Sequence, residues 1–453
     1  MHWSELLIVL GMLAISSMCA AAPAGKVIVF NDNGAWCWYQ DPRVLVDHAN
    51  GTMLIASVAA AEGASGKDRA GDVDLTTYTL ATGQCTRFVL HHGFSPPDDH
   101  DAAALLLRTD GRYLAAYSRH NADAVSYRRI SVRPHDATEW GPELTFDWSA
   151  ALATADPNDK VTYSNLFYLP AERRTYDFVR AVNHDASILT SSDEGETFTY
   201  SGKLLTIPKL GYVNGYVKYA SNGVDRIDFI TTEHHPRDFN NSIYHGYLQN
   251  GKLYRSDGTV VSNDIFADPG HPQTELTKVF AANSVYDGDV MTHAWTMQIC
   301  LDPSNRPFAL ISCRANDVPE NTNFGDHRFF YCWFDGKDWQ VHELAKAGAC
   351  LWPAEQDYTG LATFNPNNLN EVFISTAIDP RDGSKLKNHE IFKGETADGG
   401  ATWTWTAVTW DSPVDNLRPL ATSLDDRTIA LIWFRGTMTR SQHYNSQMVG
   451  IIE

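Results

Sequence analysis

The feature that most constrains the fold of this chain is a recurring unit of two short strands joined by a tight turn, usually of Asp, Asn or Gly. Helical periodicity is scarce, and most units are followed by further strand-like runs. Four-stranded units that recur every several tens of residues predict an all-β chain folded as a seven-bladed β-propeller. A β-solenoid, the alternative, would repeat roughly every 20–30 residues. The units span residues 43–58, 100–120, 163–180, 216–234, 293–313, 358–375 and 418–435.

The organisation of the chain predicts one domain after an N-terminal export segment. The apolar run from Leu6 to Ala22 ends in small residues before Pro23, as in a secretory signal peptide. Glu5 and the lack of Lys or Arg before the run leave a retained membrane anchor as the alternative. No Pro/Ser-rich linker or long charge run follows. We therefore expect residues 1–22 to be removed and residues 23–453 to form a single catalytic propeller, secreted to the extracellular space or the periplasm.

Composition and charge exclude several classes of protein. With 43% hydrophobic and 20% charged residues, the chain is neither disordered nor a coiled coil. Its formal net charge of -19 argues against nonspecific binding of nucleic acid or of an anionic membrane. An anionic ligand must therefore meet a local basic patch. We expect no nucleic-acid partner, no membrane contact after signal removal, and a monomer.

Two segments, 191–198 and 396–403, resemble the Asp-box (BNR) repeats of sialidase-like propellers, which form hairpin turns between outer strands. The Asp of such a turn accepts hydrogen bonds, Gly permits a positive φ, and the aromatic residue, here Phe198 or Trp403, packs between blades. This role is structural. The two copies therefore favour the propeller architecture and say nothing about the reaction.

Polar side chains at the ends of two consecutive units predict a site. In an antiparallel hairpin, residues equidistant from the turn face each other with Cβ atoms about 5 Å apart. By this rule His100 lies beside His120, and Tyr163 lies beside Arg180, at the open end of neighbouring blades. Such a set can supply a base, an acid and a cation for a carboxylate. The alternative for each residue is an ordinary solvated or packed side chain.

Several short segments, taken in order, resemble a family of BNR-repeat secreted proteins that includes the propeller-type ulvan lyases. The resemblance runs nearly the whole mature chain. It implies β-elimination on a sulfated uronic-acid polysaccharide, and by motif it places the catalytic groups at His100, His120, Tyr163 and Arg180. The segments are 33–43, Asp98-Asp99-His100-Asp101, Tyr117-Ser118-Arg119-His120, Thr162-Tyr163-Ser164-Asn165, His235-Pro236-Arg237-Asp238 and Asn416-Leu417-Arg418-Pro419.

Elimination at a uronate requires groups that these side chains can provide. The C5 proton is weakly acidic because the adjacent carboxylate resists a second negative charge, so a cation must neutralise that carboxylate. We expect Arg180 to do so with a fork of donors, assisted by His100. His120 is a candidate base, and Tyr163 is a candidate base, acid or both. Candidates for binding sulfate and neighbouring sugars are Arg119, Lys218, His234, Arg237 and Arg314.

The fifth unit contains a candidate metal site. We expect no organic cofactor. His293, Cys313, His327 and Cys350 are predicted to converge from successive strands as a tetrahedral Cys2His2 set for a structural zinc ion. The resemblance implies such a metal in some relatives. Alternatively, Cys313 and Cys350 are buried small residues or form a disulfide. A disulfide between Cys37 and Cys85 is a further alternative.

Two other functions are compatible with the same pattern. A sialidase-like glycoside hydrolase needs a cluster of arginines and a Tyr/Glu nucleophile pair, and Arg43, Arg180 and Arg418 are candidates for the cluster. A non-catalytic glycan-binding propeller would keep a basic and aromatic cleft but release no product.

Overall fold

The structure is a computed structural model that describes residues 25–40, 43–208, 210, 215–267 and 269–453. The predicted signal peptide lies outside these residues. Within them, seven antiparallel sheets form a seven-bladed β-propeller, which confirms the predicted fold. No helix among the described residues is long and apolar enough to cross a membrane. The few helical turns are α1 (Gly66–Arg69), α2 (Ser149–Leu152) and the 3-10 turns Asp99–Asp101, Val182–His184 and Gln273–Glu275.

The first three blades each contain four strands in chain order. Strand β1 (Ile28–Asn31) precedes them and belongs to the last blade. The first blade contains β2 (Val44–Asp47), β3 (Thr52–Val58), β4 (Val73–Thr79) and β5 (Gln84–His91). The second contains β6 (Ala104–Leu107), β7 (Tyr113–Ser118), β8 (Val125–Ile130) and β9 (Leu144–Asp147). The third contains β10 (Leu166–Leu169), β11 (Arg174–Arg180), β12 (Ala186–Ser191) and β13 (Thr199–Lys203).

The fourth and fifth blades carry additional strands, and the sixth returns to four. The fourth contains β14 (Val217–Ser221), β15 (Arg226–Thr232), β16 (Ile243–Gln249), β17 (Lys252–Arg255), β18 (Val260–Ser262) and β19 (Thr277–Phe280). The fifth contains β20 (Ser284–Tyr286), β21 (Asp289–Leu301), β22 (Pro307–Ala315), β23 (His327–Phe334) and β24 (Trp339–Gly348). The sixth contains β25 (Ala362–Asn365), β26 (Asn368–Ile378), β27 (Lys385–Glu395) and β28 (Thr404–Ala407).

The two ends of the chain close the ring in the seventh blade. Its strands β29 (Asp415–Ser423), β30 (Ile429–Arg440) and β31 (His443–Ile452) are completed by β1, which pairs with β31 through Ile28 opposite Gly450. A closed ring leaves no long exposed sheet edge, because the first and last parts of the chain share one sheet.

The seven predicted hairpins form the inner part of the seven blades. Strands β2, β6, β10, β14, β21 and β29 line a central channel of about 380 Å³ with mostly apolar side chains. The hairpin turns lie at one face of the ring. The connections that lead into each inner strand lie at the opposite face, and they carry the polar residues singled out in the sequence.

The two Asp boxes fold as predicted, between the third and fourth strands of the third and sixth blades. In the first, the Ser191 hydroxyl donates to Asp193 at 2.7 Å and accepts the Gly195 N–H at 2.7 Å. The backbone N–H and hydroxyl of Thr197 donate to Asp193 at 2.9 and 2.7 Å. Phe198 packs under Arg128 of the second blade. The boxes therefore join adjacent blades, as the sequence predicts.

Candidate active site

The polar connections meet in a cleft of about 240 Å³ at the face opposite the hairpin turns. It receives side chains from the second, third, fourth and seventh blades and from the segment that leads into the sixth. Its lining consists of His100, His120, Arg180, Tyr216, His235, Arg237, Ala354, Glu355, Tyr358, Thr439, Arg440, Ser441 and Gln442. A smaller space that contains Tyr163 adjoins it and shares Arg180 and Tyr216.

His100 and His120 form a parallel stack in this cleft, with ring centroids 3.9 Å apart and an interplanar angle of 7°. Both rings turn Nδ1 toward Asp98. His100 lies 2.6 Å from one carboxylate oxygen and His120 lies 2.8 Å from the other. A proton on Nδ1 of His120 satisfies this contact and leaves the Nε2 lone pair available.

The positive charge of the histidine pair resides on His100. This ring has a second acidic neighbour, since Asp99 lies 2.7 Å from its Nδ1. Burial opposes a charge on the ring, yet Cys37, Asp98, Tyr163 and Asp99 together raise the pKa of His100 well above its ordinary value. The proton is therefore held on His100 at neutral pH.

His120 is the uncharged partner of the stack. Burial and the positive charge of His100 lower the pKa of His120 to about 4, against the attraction of Asp98. Burial would raise the pKa of Asp98, but the two histidines hold that pKa well below its usual range. Two stacked imidazoles that share one carboxylate repel each other strongly if both are charged. One ring is therefore protonated and can donate a proton, and the other is neutral and can accept one.

Tyr163 and Arg180 lie beside this pair. The Arg180 guanidinium is 4.8 Å from the centre of the Tyr163 ring and 5.7 Å from that of Tyr216. The Tyr163 hydroxyl is buried and has no hydrogen-bond partner among the described residues. Burial raises the pKa of Tyr163 well above its ordinary value, although Arg180 and His100 act in the opposite direction. The phenol is therefore protonated, and its proton is not donated to any described residue.

The predicted pairing of Tyr163 with Arg180 across the hairpin is wrong by one residue. The backbone partner of Arg180 is Thr162, with N–H to O distances of 3.0 Å in both directions. Tyr163 itself has a φ of 70°, which is uncommon for a residue other than glycine. Strained backbone of this kind clusters at functional sites. It brings the Tyr163 ring within 5.7 Å of His100.

Aromatic rings form the floor beneath the cleft. Tyr39 stacks on Trp295 with centroids 3.6 Å apart, and Tyr216 contacts both. Tyr358 lies 5.7 Å from Trp295 and lines the cleft wall. All four rings are buried, and such a low-polarity floor strengthens the electrostatic interactions above it.

Arginines give the cleft a positive charge that the whole chain lacks. Arg180, Arg237 and Arg440 all line it. Asp238, through contacts of 3.1 and 3.2 Å, and Glu355, through one of 3.1 Å, offset part of this charge at Arg237. Arg440 is exposed and no ion-pair partner for it occurs within the described ranges. The local basic patch that a protein of net charge -19 needs for an anionic ligand is therefore present.

The other predicted substrate-binding residues lie elsewhere. Arg119 is half-exposed and donates to the Ser95 carbonyl outside the cleft. Lys218 is buried along the central channel, where its ammonium donates to the Trp38 carbonyl at 3.1 Å. These placements do not support the predicted contacts of Arg119 and Lys218 with substrate.

Arg314 and His234 also differ from the prediction. Arg314 is buried and paired with Asp317 at 2.7 Å and with Asp357 at 2.8 Å from its Nε, so its charge is neutralised inside the protein. His234 packs against a neighbouring phenylalanine, and its neighbour His235 lines the cleft instead. His234 and His235 follow the end of β15 at Thr232, and of the two only His235 lines the cleft.

Residues of the site that are not among the predicted site residues are Asp98, Tyr216, His235, Arg440 and Gln442. Asp98 and His235 stand inside segments that carry the family resemblance, and Tyr216 faces the end of the fourth hairpin. The residue types and positions of these three therefore indicate the site in the sequence alone. No local pattern points to Gln442, which meets Asp98 across 344 positions of sequence.

The predicted zinc ligands do not form one cluster. His327 pairs with Arg314 across the sheet, whereas Cys313 pairs with Arg328, so His327 and Cys313 lie on opposite faces. Cys313 packs in an apolar cluster, and both ring nitrogens of His327 lie against backbone carbonyls, at 3.2 and 2.7 Å. In the described chain, no three of His293, Cys313, His327 and Cys350 bring ligand atoms within 4.8 Å of one another. The residues present do not fit the predicted tetrahedral site.

The cysteines in the described ranges are all free thiols. The candidate disulfide between Cys37 and Cys85 is therefore absent from them, as is one between Cys313 and Cys350. Cys37 is buried beside His100, and Cys85 is exposed on an outer strand.

The model of a family described as "BNR repeat-containing family member" matches residues 37–347. No curated protein matches the chain. A solved ulvan lyase, described as a new family of polysaccharide lyase, PL25, aligns over 94% of this chain and 97% of its own, with 15% identity and a TM-score of 0.63.

Two further solved structures align to a similar extent. An ulvan lyase of the same description, bound to -[GlcA(1-4)Rha3S]-, covers 94% of this chain and 97% of its own at 15% identity and a TM-score of 0.62. The polysaccharide lyase Uly1 covers 95% and 99% at 10% identity and a TM-score of 0.56. At these identities the likeness establishes the shared propeller fold.

Proposed function

This chain belongs to the BNR repeat-containing family, and from that premise we propose that it is a polysaccharide lyase that cleaves ulvan, a sulfated polysaccharide of rhamnose and uronic acid, by β-elimination at the uronate. One observation carries the proposal. The stacked pair His100 and His120 shares the Asp98 carboxylate, directly beside a protonated Tyr163 and the Arg180 guanidinium.

Each requirement of elimination has a residue in this arrangement. Arg180 and the charged His100 bind the uronate carboxylate and stabilise the negative charge that develops when C5 loses its proton. The neutral His120, oriented by Asp98, takes that proton on Nε2. Its low pKa of about 4 keeps this nitrogen free at neutral pH.

The electrons of the C5–H bond form the C4=C5 double bond, and the C4–O4 bond breaks. Tyr163 donates its proton to the departing O4, which leaves as the hydroxyl of the neighbouring sugar. His120 ends protonated and Tyr163 ends as phenolate beside Arg180. Transfer of one proton from His120 to Tyr163 through solvent restores the starting state.

Substrate binding is proposed for the basic residues that line the cleft. Arg237, which the sequence predicts, and Arg440, which it does not, are the groups proposed to face sulfate or neighbouring uronates. Arg119, Lys218 and Arg314 are no longer proposed for this role. The choice of ulvan is supported by the solved lyases of the same fold, one of them bound to -[GlcA(1-4)Rha3S]-.

The structure gives less support to a sialidase-like hydrolase. Arg43 and Arg418 are buried and donate to the carbonyls of Ser164 and Gln40, each at 2.8 Å. Neither lines the cleft with Arg180, so the three do not present one carboxylate clamp there. Only an assay for product formation distinguishes a lyase from a glycan-binding propeller without activity.

The test is an ultraviolet assay of the purified mature protein on ulvan and on a panel of non-sulfated uronate polysaccharides. Elimination creates a C4=C5 double bond conjugated to the carboxylate, which absorbs. We expect absorbance to rise on ulvan and more slowly on the other polymers. New reducing ends without absorbance would indicate a hydrolase, and binding without any product would indicate a glycan-binding propeller.

A further inference from the structure

We propose that Gln442, at the tip of the β30–β31 hairpin of the last blade, is a positioning residue that fixes the Asp98 carboxylate and thereby keeps His120 the uncharged member of the histidine pair. Its kinetic consequence rests on the proposed function. Its effect on the protonation of His120 does not.

The contact that supports this role is direct. The side-chain amide of Gln442 donates to Oδ2 of Asp98, the same oxygen that lies 2.8 Å from Nδ1 of His120. Oδ1 of Asp98 faces His100 at 2.6 Å. Each oxygen of the carboxylate therefore serves one histidine, and Gln442 acts on the oxygen that serves His120.

A second contact from the same tip holds the loop that carries Asp98. The backbone N–H of Asp99 donates to the Ser441 carbonyl at 3.1 Å. Both contacts join the last blade to the connection that leads into the second blade. The hairpin tip thus fixes the orientation of Asp98 from outside its own blade, and Gln442 itself lines the cleft.

The expected electrostatic effect has a definite sign. The amide of Gln442 neutralises part of the negative charge on Oδ2 of Asp98 and so weakens its attraction for a proton on His120. Removal of the amide strengthens that attraction and favours the charged imidazole. The other charged or titratable groups around the two rings and Asp98 are Cys37, Asp99, Asp101, Tyr163, Arg180 and Tyr444.

The test is the titration of His120 by NMR in the full mature protein with carbon-13 labelled histidine, with the signal assigned through a His120→Gln variant. We expect Gln442→Met to raise the titration midpoint of His120 by about 0.5–1 pH unit. Gln447→Met is the matched control, because Gln447 lies on the same hairpin and bonds to Arg435 at 2.7 Å. It should leave the midpoint unchanged.

A double variant tests whether the effect passes through Asp98. In an Asp98→Asn background, Gln442→Met should cause no further shift of the His120 midpoint. A midpoint that is the same in Gln442→Met and the parent, or shifted equally by Gln447→Met, overturns the inference. Gln442→Ser is measured alongside, so that a folding defect of one variant does not decide the result.

Kinetics provide an independent readout if the chain turns over ulvan. The acidic limb of the kcat profile should move to higher pH in Gln442→Met, with KM changed less than about twofold. A parent protein that shows no activity on ulvan contradicts the proposed function, while the NMR titration still decides the role of Gln442.

Discussion

His100 and His120 stack face to face with their ring centroids 3.9 Å apart and turn the same edge toward a single carboxylate. The stack forces a division of charge, because two adjacent imidazolium ions would repel each other inside the protein. Asp98 and Asp99 hold the proton on His100 and leave His120 uncharged, the form that we propose acts as the base.

Replacement of Tyr163 by Phe should abolish most of the activity and leave the fold intact. The variant removes only the hydroxyl that we propose protonates O4, and that hydroxyl has no hydrogen-bond partner among the described residues. We expect kcat on ulvan to fall by about 10²–10⁴-fold with little change in KM. Tyr254→Phe, on an outer strand stacked on Tyr247, is the control and should behave as the parent. Equal rates for both variants would remove Tyr163 from the mechanism.

Replacement of Asp98 by Asn should disturb both histidines. An amide cannot accept from Nδ1 of both rings, so the tautomer of His120 that leaves Nε2 free is no longer favoured. We expect kcat/KM to fall by about 10²–10⁴-fold. Asp335→Asn, in an exposed turn, serves as the control for a change of net charge. An Asp98→Asn variant that retains activity would show that the carboxylate does not orient the base.

The pH dependence of kcat/KM should show an unusually low acidic limb. His120 must be neutral to act as a base, so activity is lost as pH falls through its pKa of about 4 rather than through the ordinary histidine value. We expect rates at pH 5.5 to remain within about twofold of those at pH 7.5. A limb near the ordinary value, measured on ulvan at constant ionic strength, would assign the base to another group.

Stability should decrease in mild acid because of His235. Burial and the nearby Arg237 lower the pKa of His235 to about 3, and its Nδ1 accepts the Arg237 N–H at 3.1 Å, which fixes the neutral form. Below the ordinary histidine pKa the unfolded chain therefore binds a proton that the folded chain does not. This contribution to stability is complete above that value and is lost as pH falls toward 3. His235→Asn should reduce the slope of unfolding free energy against pH, measured with urea between pH 7 and 5, whereas parallel slopes would contradict the assignment.

The Asp box should affect stability without affecting the site. Ser191 is buried and makes two hydrogen bonds of 2.7 Å within the turn. Ser191→Ala leaves the Gly195 N–H without its acceptor, and we expect a loss of about 1–3 kcal/mol in urea unfolding with unchanged kcat. Ser304→Ala, in an exposed turn, is the control. A variant as stable as the parent would mean that the box contributes little to blade contacts.

The sequence predicted those parts of the fold that depend on local pattern. Each hairpin is defined by its own turn and alternation, so all seven inner hairpins could be placed, and His100 could be placed beside His120. The fifth blade shows where this reasoning fails. Strand β21 has register shifts between Thr292 and Trp295 and between Thr296 and Gln298, so counting from the turn does not locate His293.

Contacts between distant segments could not be predicted from one sequence. Gln442 meets Asp98 only because the ring closes, and closure joins the last blade to the start of the chain. Burial also determines which basic residues can reach a ligand, and one sequence does not show it. Arg314 and Lys218 have the right charge for a sulfated ligand, but the fold encloses one in ion pairs and the other along the channel.

The central claim is elimination at a uronate, and mass spectrometry of the products formed from ulvan tests it most directly. Elimination yields a new nonreducing end that lacks one water relative to the hydrolysis product and carries the C4=C5 double bond. We predict that every newly formed nonreducing end is an unsaturated uronate. Products that carry a saturated uronate at that end would contradict the claim and assign the cleft to hydrolysis.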